Sequence, residues 1–103
     1  MHLITMRALA EAATRFPQFK TELLNFGKVI EKGNFPTPAA LKKVYPSLDN
    51  FKYLDKHYVI DIGRNEIRVV ALIFFESQKF YLKGIFNHAE YDRFTHLHRG
   101  KKK

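Results

Sequence analysis

Residues 58–75 read YVIDIGRNEIRVVALIFF, from Tyr58 to Phe75, and the fold turns on how they pair. Two apolar runs rich in β-branched and aromatic residues flank Gly63-Arg64-Asn65, and glycine and asparagine tolerate positive φ. The pattern predicts a hairpin with a two-residue turn at Arg64-Asn65 between residues 58–63 and 66–75. Residues paired across a hairpin point to the same side, so Asp61 falls opposite Arg68, Val59 opposite Val70, and His57 shares the face of Arg68. A second two-residue turn at Ser77-Gln78 sets Glu76 opposite Lys79, Phe74 opposite Tyr81 and Leu72 opposite Lys83. One sheet face then collects His57, Asp61, Arg68, Tyr81 and Lys83. The other collects Tyr58, Ile60, Ile67, Val69, Ile73, Phe75, Phe80 and Leu82, and helices must cover it.

Upstream of the hairpins the pattern turns helical. Leu3 and Ile4 suit a short strand that gives way to a helix near Met6, where Leu9, Ala13 and Phe16 form one apolar stripe. Phe16-Pro17 breaks that helix, because a residue before proline is pushed away from helical angles. Phe19, Leu23, Phe26 and Ile30 recur at three- and four-residue steps and predict a second helix lying on the sheet, closed at Gly33-Asn34 by a left-handed end. Thr37 before Pro38 caps a short third helix with Leu41 and Val44 facing inward, ended by Pro46. Downstream, Asn87 with Glu90 three residues on is an asparagine version of the capping box, and it starts a final helix whose His88 and Tyr91 share a face. The expected class is α+β, one domain over residues 1–98 followed by a basic tail, Arg99-Gly100-Lys101-Lys102-Lys103, read as disordered and adhesive.

Composition narrows the partner. The 103 residues, 46% hydrophobic and 27% charged, fit one core, bulked by ten Phe and five Tyr. With no cysteine, disulfides and thiolate metal sites are excluded. A net charge of +8 favours an anionic partner through attraction and counterion release. Residues 1–5 lack the pattern of a secretory signal and no run approaches the length of a membrane span, so a cytoplasmic protein with no membrane partner is expected. Glycine-rich phosphate loops, nucleophile elbows and paired-cysteine zinc patterns are missing, which sets aside nucleotide-driven motors, esterases and zinc-finger readers. His96-x-His98 lacks a carboxylate or thiol nearby, so neither a metal nor a cofactor is expected.

The cations on the strands point to a polyanion, RNA above all. RNA is cut without a metal when the ribose 2′-hydroxyl attacks the adjoining phosphate. That reaction needs an acceptor for the 2′ proton, a donor to the 5′ leaving oxygen, and fixed cations for the growing negative charge. Histidine is the side chain that ordinarily titrates nearest neutrality, so His88 suits proton transfer; Tyr91 can donate or relay a proton, and Arg68 and Lys83 can clamp the phosphate. Lys56, His57, Arg64 and Asn65 are placed to guide flanking nucleotides, and Tyr53, Tyr81 and Phe86 offer stacking surfaces. Each has a plainer role. Arg68 pairs with Asp61 across strands, Lys79 with Glu76; His88 is a surface histidine at a helix start; Tyr91, Tyr53, Tyr81 and Phe86 are core aromatics; Lys42 and Lys43 form a solvated face.

Four stretches carry a resemblance: Tyr45-Pro46-Ser47-Leu48-Asp49-Asn50-Phe51-Lys52-Tyr53, Asn65-Glu66-Ile67-Arg68-Val69-Val70-Ala71, Phe80-Tyr81-Leu82-Lys83, and His88-Ala89-Glu90-Tyr91-Asp92. In order and spacing they closely resemble the HigB toxins of bacterial toxin-antitoxin pairs. The resemblance implies a RelE-like fold, a small mainly antiparallel sheet with N-terminal helices on one face and a short C-terminal helix. It implies an mRNA interferase acting on messages bound to the translating ribosome. It also implies neutralisation by a HigA-like helix-turn-helix antitoxin, with operator DNA bound only through the antitoxin complex. Carried over by position, the catalytic set is Arg68, Lys83, His88 and Tyr91, with Lys56, His57, Arg64 and Asn65 contacting substrate. A non-catalytic module that blocks translation by occupying RNA or the ribosome is the alternative, and a basic face that binds only an acidic protein is a third.

Overall fold

The computed structural model describes residues 1–4 and 6–99. In chain order the elements are β1 (His2–Ile4), α1 (Met6–Arg15), α2 (Lys20–Lys32), α3 (Pro38–Val44), β2 (Asp49–Asn50), β3 (His57–Ile62), β4 (Ile67–Phe74), β5 (Lys79–Phe86) and α4 (His88–Arg99), with a single 3₁₀ turn at Pro17–Phe19. The expected α+β class is what folds. The strands form one five-stranded sheet in the order β1-β5-β4-β3-β2, antiparallel except where β1 lies parallel to β5. The tail predicted at residues 99–103 has its first residue in α4; residues 100–103 lie outside those described. No described helix is long and apolar enough to cross a membrane.

The first hairpin has the predicted register, with Asp61 opposite Arg68 and Val59 opposite Val70. Arg64 and Asn65 have φ of 55° and 69°, the pair of positive values that matches a two-residue loop to the twist of its strands. Gly63 is also left-handed, at φ 65°, and a Cβ there would come within 2.5 Å of the Phe19 ring, so both backbone and packing call for glycine.

The second hairpin departs from the predicted register. Leu72 faces Tyr81 and Phe74 faces Lys79, so the connection takes residues 75–78 instead of Ser77-Gln78 alone. Side-chain bonding explains the longer loop. The Gln78 amide nitrogen donates to the carbonyls of Phe35 and Phe75 at 2.6 and 2.8 Å, its oxygen accepts from Phe35 N–H at 3.1 Å, and Phe75 packs edge-on against Tyr58. A shift of two residues preserves the faces up to Leu82. A bulge opposite Val70/Ala71 then inserts Lys83 as an extra residue, and alternation changes parity. Phe80 and Leu82 point to the core before the bulge, Ile85 points there after it, and Phe86 emerges on the face of Arg68.

Against the apolar face, Leu9, Ala12, Leu23, Phe26 and Ile30 of α1 and α2 meet Ile60, Ile62, Ile67, Val69, Ile73, Phe80, Leu82 and Ile85 in one cluster. Removing each such large side chain from water is worth about 1.5–3 kcal/mol. Two helix-end expectations fail. Gly33 is extended, with φ −86° and ψ 158°, not left-handed; it is needed because a Cβ would stand 2.3 Å from the buried Phe35 ring. Val44 is 47% exposed, since α3 is only seven residues long and turns the face of Ala40 and Leu41 to the core, burying Leu41. Thr37 does cap α3, its hydroxyl accepting from Ala40 N–H at 3.2 Å.

The difference between Leu41 and Val44 is measurable. Leu41→Ala should cost about 2–5 kcal/mol in urea unfolding. Val44→Ala should stay within about 0.5 kcal/mol.

Candidate active site

The opposite face of the sheet carries Asp61 and Arg68 at one end and an apolar patch next to them. Phe51, Val59 and Val70 are buried there in a second cluster, with Tyr53, Leu54, Phe86, Tyr91 and Phe94 against them. Phe94 is the keystone, its ring 5.3 Å from Phe51, 5.0 Å from Phe86 and 4.4 Å from His98. These contacts lay α4 across the face that sequence patterning alone had left open.

The predicted capping box holds the start of α4. Asn87 Oδ1 accepts from Glu90 N–H at 2.8 Å, and Glu90 Oε1 accepts from Asn87 N–H at 3.0 Å. Arg15, at the end of α1, reaches across to donate to Glu90 Oε2 at 2.5 Å and to the Ile85 carbonyl at 3.3 Å. With α4 fixed in this way, the exposed His88 imidazole meets the first hairpin turn, Nε2 lying 2.5 Å from the Asn65 carbonyl oxygen. A carbonyl only accepts, so Nε2 carries the proton and Nδ1 is left for other chemistry.

One helical turn later, Tyr91 covers Arg68. The guanidinium carbon stands 4.6 Å from the centre of the Tyr91 ring, a stacked cation–π contact. Arg68 Nε is buried and lies 3.2 Å from Asp61 Oδ1, an ion pair whose angle does not make a hydrogen bond. Asp61 is itself clamped, because the Ser47 hydroxyl accepts from Asp61 N–H at 2.9 Å and donates to its carbonyl at 3.4 Å. The terminal guanidinium nitrogens make no hydrogen bond among the described residues. An arginine held along one edge and over one face presents a pre-oriented fork to an anion.

Of the eight residues predicted for the site, Arg68, His88 and Tyr91 come together where the first hairpin meets α4, with Asn65 there through its backbone carbonyl and Arg64 beside it in the turn. Lys83 is exposed on the β5 bulge, near the middle of the sheet. Lys56 and His57 lie toward the far end: His57 pairs with Leu72, four residues along β4 from Arg68, about 13 Å at a strand's rise. Tyr53 and Phe86 are absorbed into the second cluster, whereas Tyr81 belongs to neither cluster and touches Phe74. His96 and His98 lie within α4, where a two-residue step directs them to different sides. Sequence reasoning missed the roles of Ser47, Phe51 and Phe94; only Phe94, three residues after Tyr91, carried a readable signal, a helical repeat of aromatics.

Residues 19–94 match the HigB_toxin family, described as the RelE-like toxic component of a toxin-antitoxin system. Over 103 residues, all of this chain and 99% of the relative, the sequence is 60% identical to the mRNA interferase toxin HigB of Escherichia coli strain K12. The mRNA interferase HigB of Shigella flexneri is equally similar over the same span. A more distant mRNA interferase HigB, from Escherichia coli O6:H1, is 41% identical over 102 residues, 99% of each chain.

The anchor of α4 has a pH signature. The hydrogen bond from Arg15, and after it the backbone N–H of Asn87, hold the Glu90 carboxyl below the usual glutamate range. A lowered folded value means the contribution is complete above the unfolded carboxyl's value of about 4.3 and is lost as pH falls through the folded one. Both partners are partly exposed, which limits the pair to less than about 1 kcal/mol. The stability gap between the wild type and Glu90→Gln should be constant above about pH 5 and close below about pH 4, as read from thermal melts.

Proposed function

The chain belongs to the HigB family, the RelE-like toxic components of toxin-antitoxin systems, and on that premise we propose how it acts as an mRNA interferase. Its partners are an mRNA substrate and an antitoxin. In the reaction proposed, a ribose 2′-oxygen attacks the adjoining phosphorus, the bond to the 5′-oxygen breaks, and a 2′,3′-cyclic phosphate and a 5′-hydroxyl remain. His88 accepts the 2′ proton at Nδ1, Tyr91 passes a proton to the leaving oxygen, and Arg68 holds the phosphorane charge, with Lys83 as a second cation. Arg64 and Asn65 border the cleavage point, while Lys56 and His57 meet the message farther along.

The observation that carries this reading is the stack of Tyr91 on an Arg68 already paired with Asp61, with His88 locked to the Asn65 carbonyl one helical turn away. A guanidinium held under Tyr91, with an imidazole one helical turn away, is suited to a phosphodiester, and charge stabilisation by preorganised donors is commonly the largest catalytic term. The site has cations in plenty and few proton carriers, which favours a substrate oriented from outside, as the translating ribosome would do for its message. In this reading the protein works in the cytoplasm, is silenced by a HigA-like helix-turn-helix antitoxin, and reaches operator DNA only within that complex.

Purified protein added to translation of a defined message should create new 5′ ends that map by primer extension inside the translated region. Arrested translation with the message whole would instead favour a module acting by occupancy. Tyr91→Phe keeps the ring against Arg68 and Phe51 and should melt like the wild type, yet cleave at least about tenfold more slowly. Arg68→Gln is best paired with Asp61→Asn, so that no carboxylate is left unpaired; that double variant should lose roughly a hundredfold or more in cleavage rate.

A further inference from the structure

Beyond the cluster at Arg68, the same sheet face carries a second arrangement that neither core accounts for. Phe74 and Tyr81 meet edge to face, centroids 5.8 Å apart at 89°, and both are only half-buried. Phe74 and Tyr81 join neither the cluster under α1 and α2 nor the one under α4. The aromatic residues of α4 reach Phe51 and Phe86, and among the described residues no helix lies over this end of the sheet face. Lys56 stands above the Phe74 ring, its amine 5.5 Å from the centroid. It does so from a left-handed backbone, φ 60°, pinned where its carbonyl accepts from Ile73 N–H at 3.1 Å. A lysine in that conformation is uncommon, and here it places a cation beside an uncovered aromatic surface.

Two rings with a flanking ammonium, joined to neither apolar cluster among the described residues, are suited to an unpaired nucleobase, whose flat face stacks on an aromatic while its phosphate meets the cation. Lys79 lies opposite Phe74 in the sheet and Lys83 lies two residues beyond Tyr81, both exposed, so with Lys56 three ammonium groups flank the rings, against the Glu76 carboxylate in the hollow that Lys56 and Phe74 share. The rings continue the face of Arg68, four to six residues farther along β4, roughly 13–20 Å away, a span that a few extended nucleotides cover. We propose that Phe74 and Tyr81, with Lys56, form a stacking site for an unpaired base of the message flanking the scissile phosphate, so that they help select where it is cut. The proposal rests on the ribonuclease reading and adds to it a binding site and a ligand class.

Phe74→Leu and Tyr81→Leu test it against the conservative Phe74→Tyr and Tyr81→Phe, each assayed on ribosome-bound message beside the wild type and the Arg68→Gln, Asp61→Asn double variant. The leucine variants should raise KM about tenfold with kcat within about twofold, and should redistribute the mapped cut positions, while the aromatic replacements restore both. Leucine variants that melt like the wild type but keep its KM and cut map would overturn the stacking site. So would leucine variants that cleave normally and fail only to bind antitoxin, since the rings would then serve a protein partner. If the wild type cuts and the double variant does not, the ribonuclease reading survives either result. A wild type that leaves the message whole ends both.

Discussion

The packing of Phe94 between Phe51 and Phe86 is the contact on which the site depends, because it decides where α4 lies. A helix capped by Asn87 would leave the end of β5 in many directions if nothing apolar awaited it. Once Phe94 is seated, the turns before it are constrained: Tyr91 meets Phe51 at 6.2 Å and covers Arg68, and His88 reaches the Asn65 carbonyl. The apolar seat adds to the polar grip of Arg15 on Glu90 and on the Ile85 carbonyl, and it brings the helix down onto the sheet beside a cation. The apolar residues Val59 and Val70 are thus as much a part of the site's construction as its charges. Aromatic pairs of this kind add about 0.5–1.5 kcal/mol beyond the area they bury, and they also have preferred angles, which gives direction as well as adhesion.

Holding an arginine close to aromatic side chains has an electrostatic cost, and Asp61 offsets it. Arg68 is partly withdrawn from water, so its charge needs a partner in the ground state; a free carboxylate could collapse onto the guanidinium and occupy its whole fork. The Ser47 hydroxyl bonds the Asp61 backbone N–H and carbonyl and so fixes the strand position from which the side chain reaches, and the carboxylate meets only Nε. The terminal nitrogens make no hydrogen bond among the described residues. In the proposed reaction they are the part of the guanidinium that would meet the phosphate, while Asp61 keeps Nε.

Much of this was legible in the chain, for identifiable reasons. Asp61 opposite Arg68 followed from strand alternation and a turn at Arg64-Asn65, both local properties. The Asn87/Glu90 box was readable because capping needs only neighbours. What failed was what distant residues decide. The register of the second hairpin depends on Gln78 finding Phe35, which is 43 residues away, and the parity change in β5 depends on a bulge with no sequence mark stronger than Gly84. Phe86 could not be assigned to the Arg68 face without that bulge. The chain-wide resemblance pointed correctly to the family, and the side chains that fix α4 in place still had to be read from the packing.

The bulge also shapes what the face can do. Without it, regular alternation would place Ile85 among the polar residues and bury Phe86 under α1 and α2, so α4 would lose one wall of its aromatic seat. Inserting Lys83 keeps Phe80 and Leu82 in the core on one side and brings Phe86 to α4 on the other, while the inserted residue itself is a solvent-facing lysine. A single extra residue therefore joins two requirements that a straight strand would set against each other: an aromatic wall for the helix docked at one end of the face, and an unbroken run of core residues under α1 and α2. Deleting it would be felt far from position 83, since every residue from Gly84 to Phe86 would exchange sides at once.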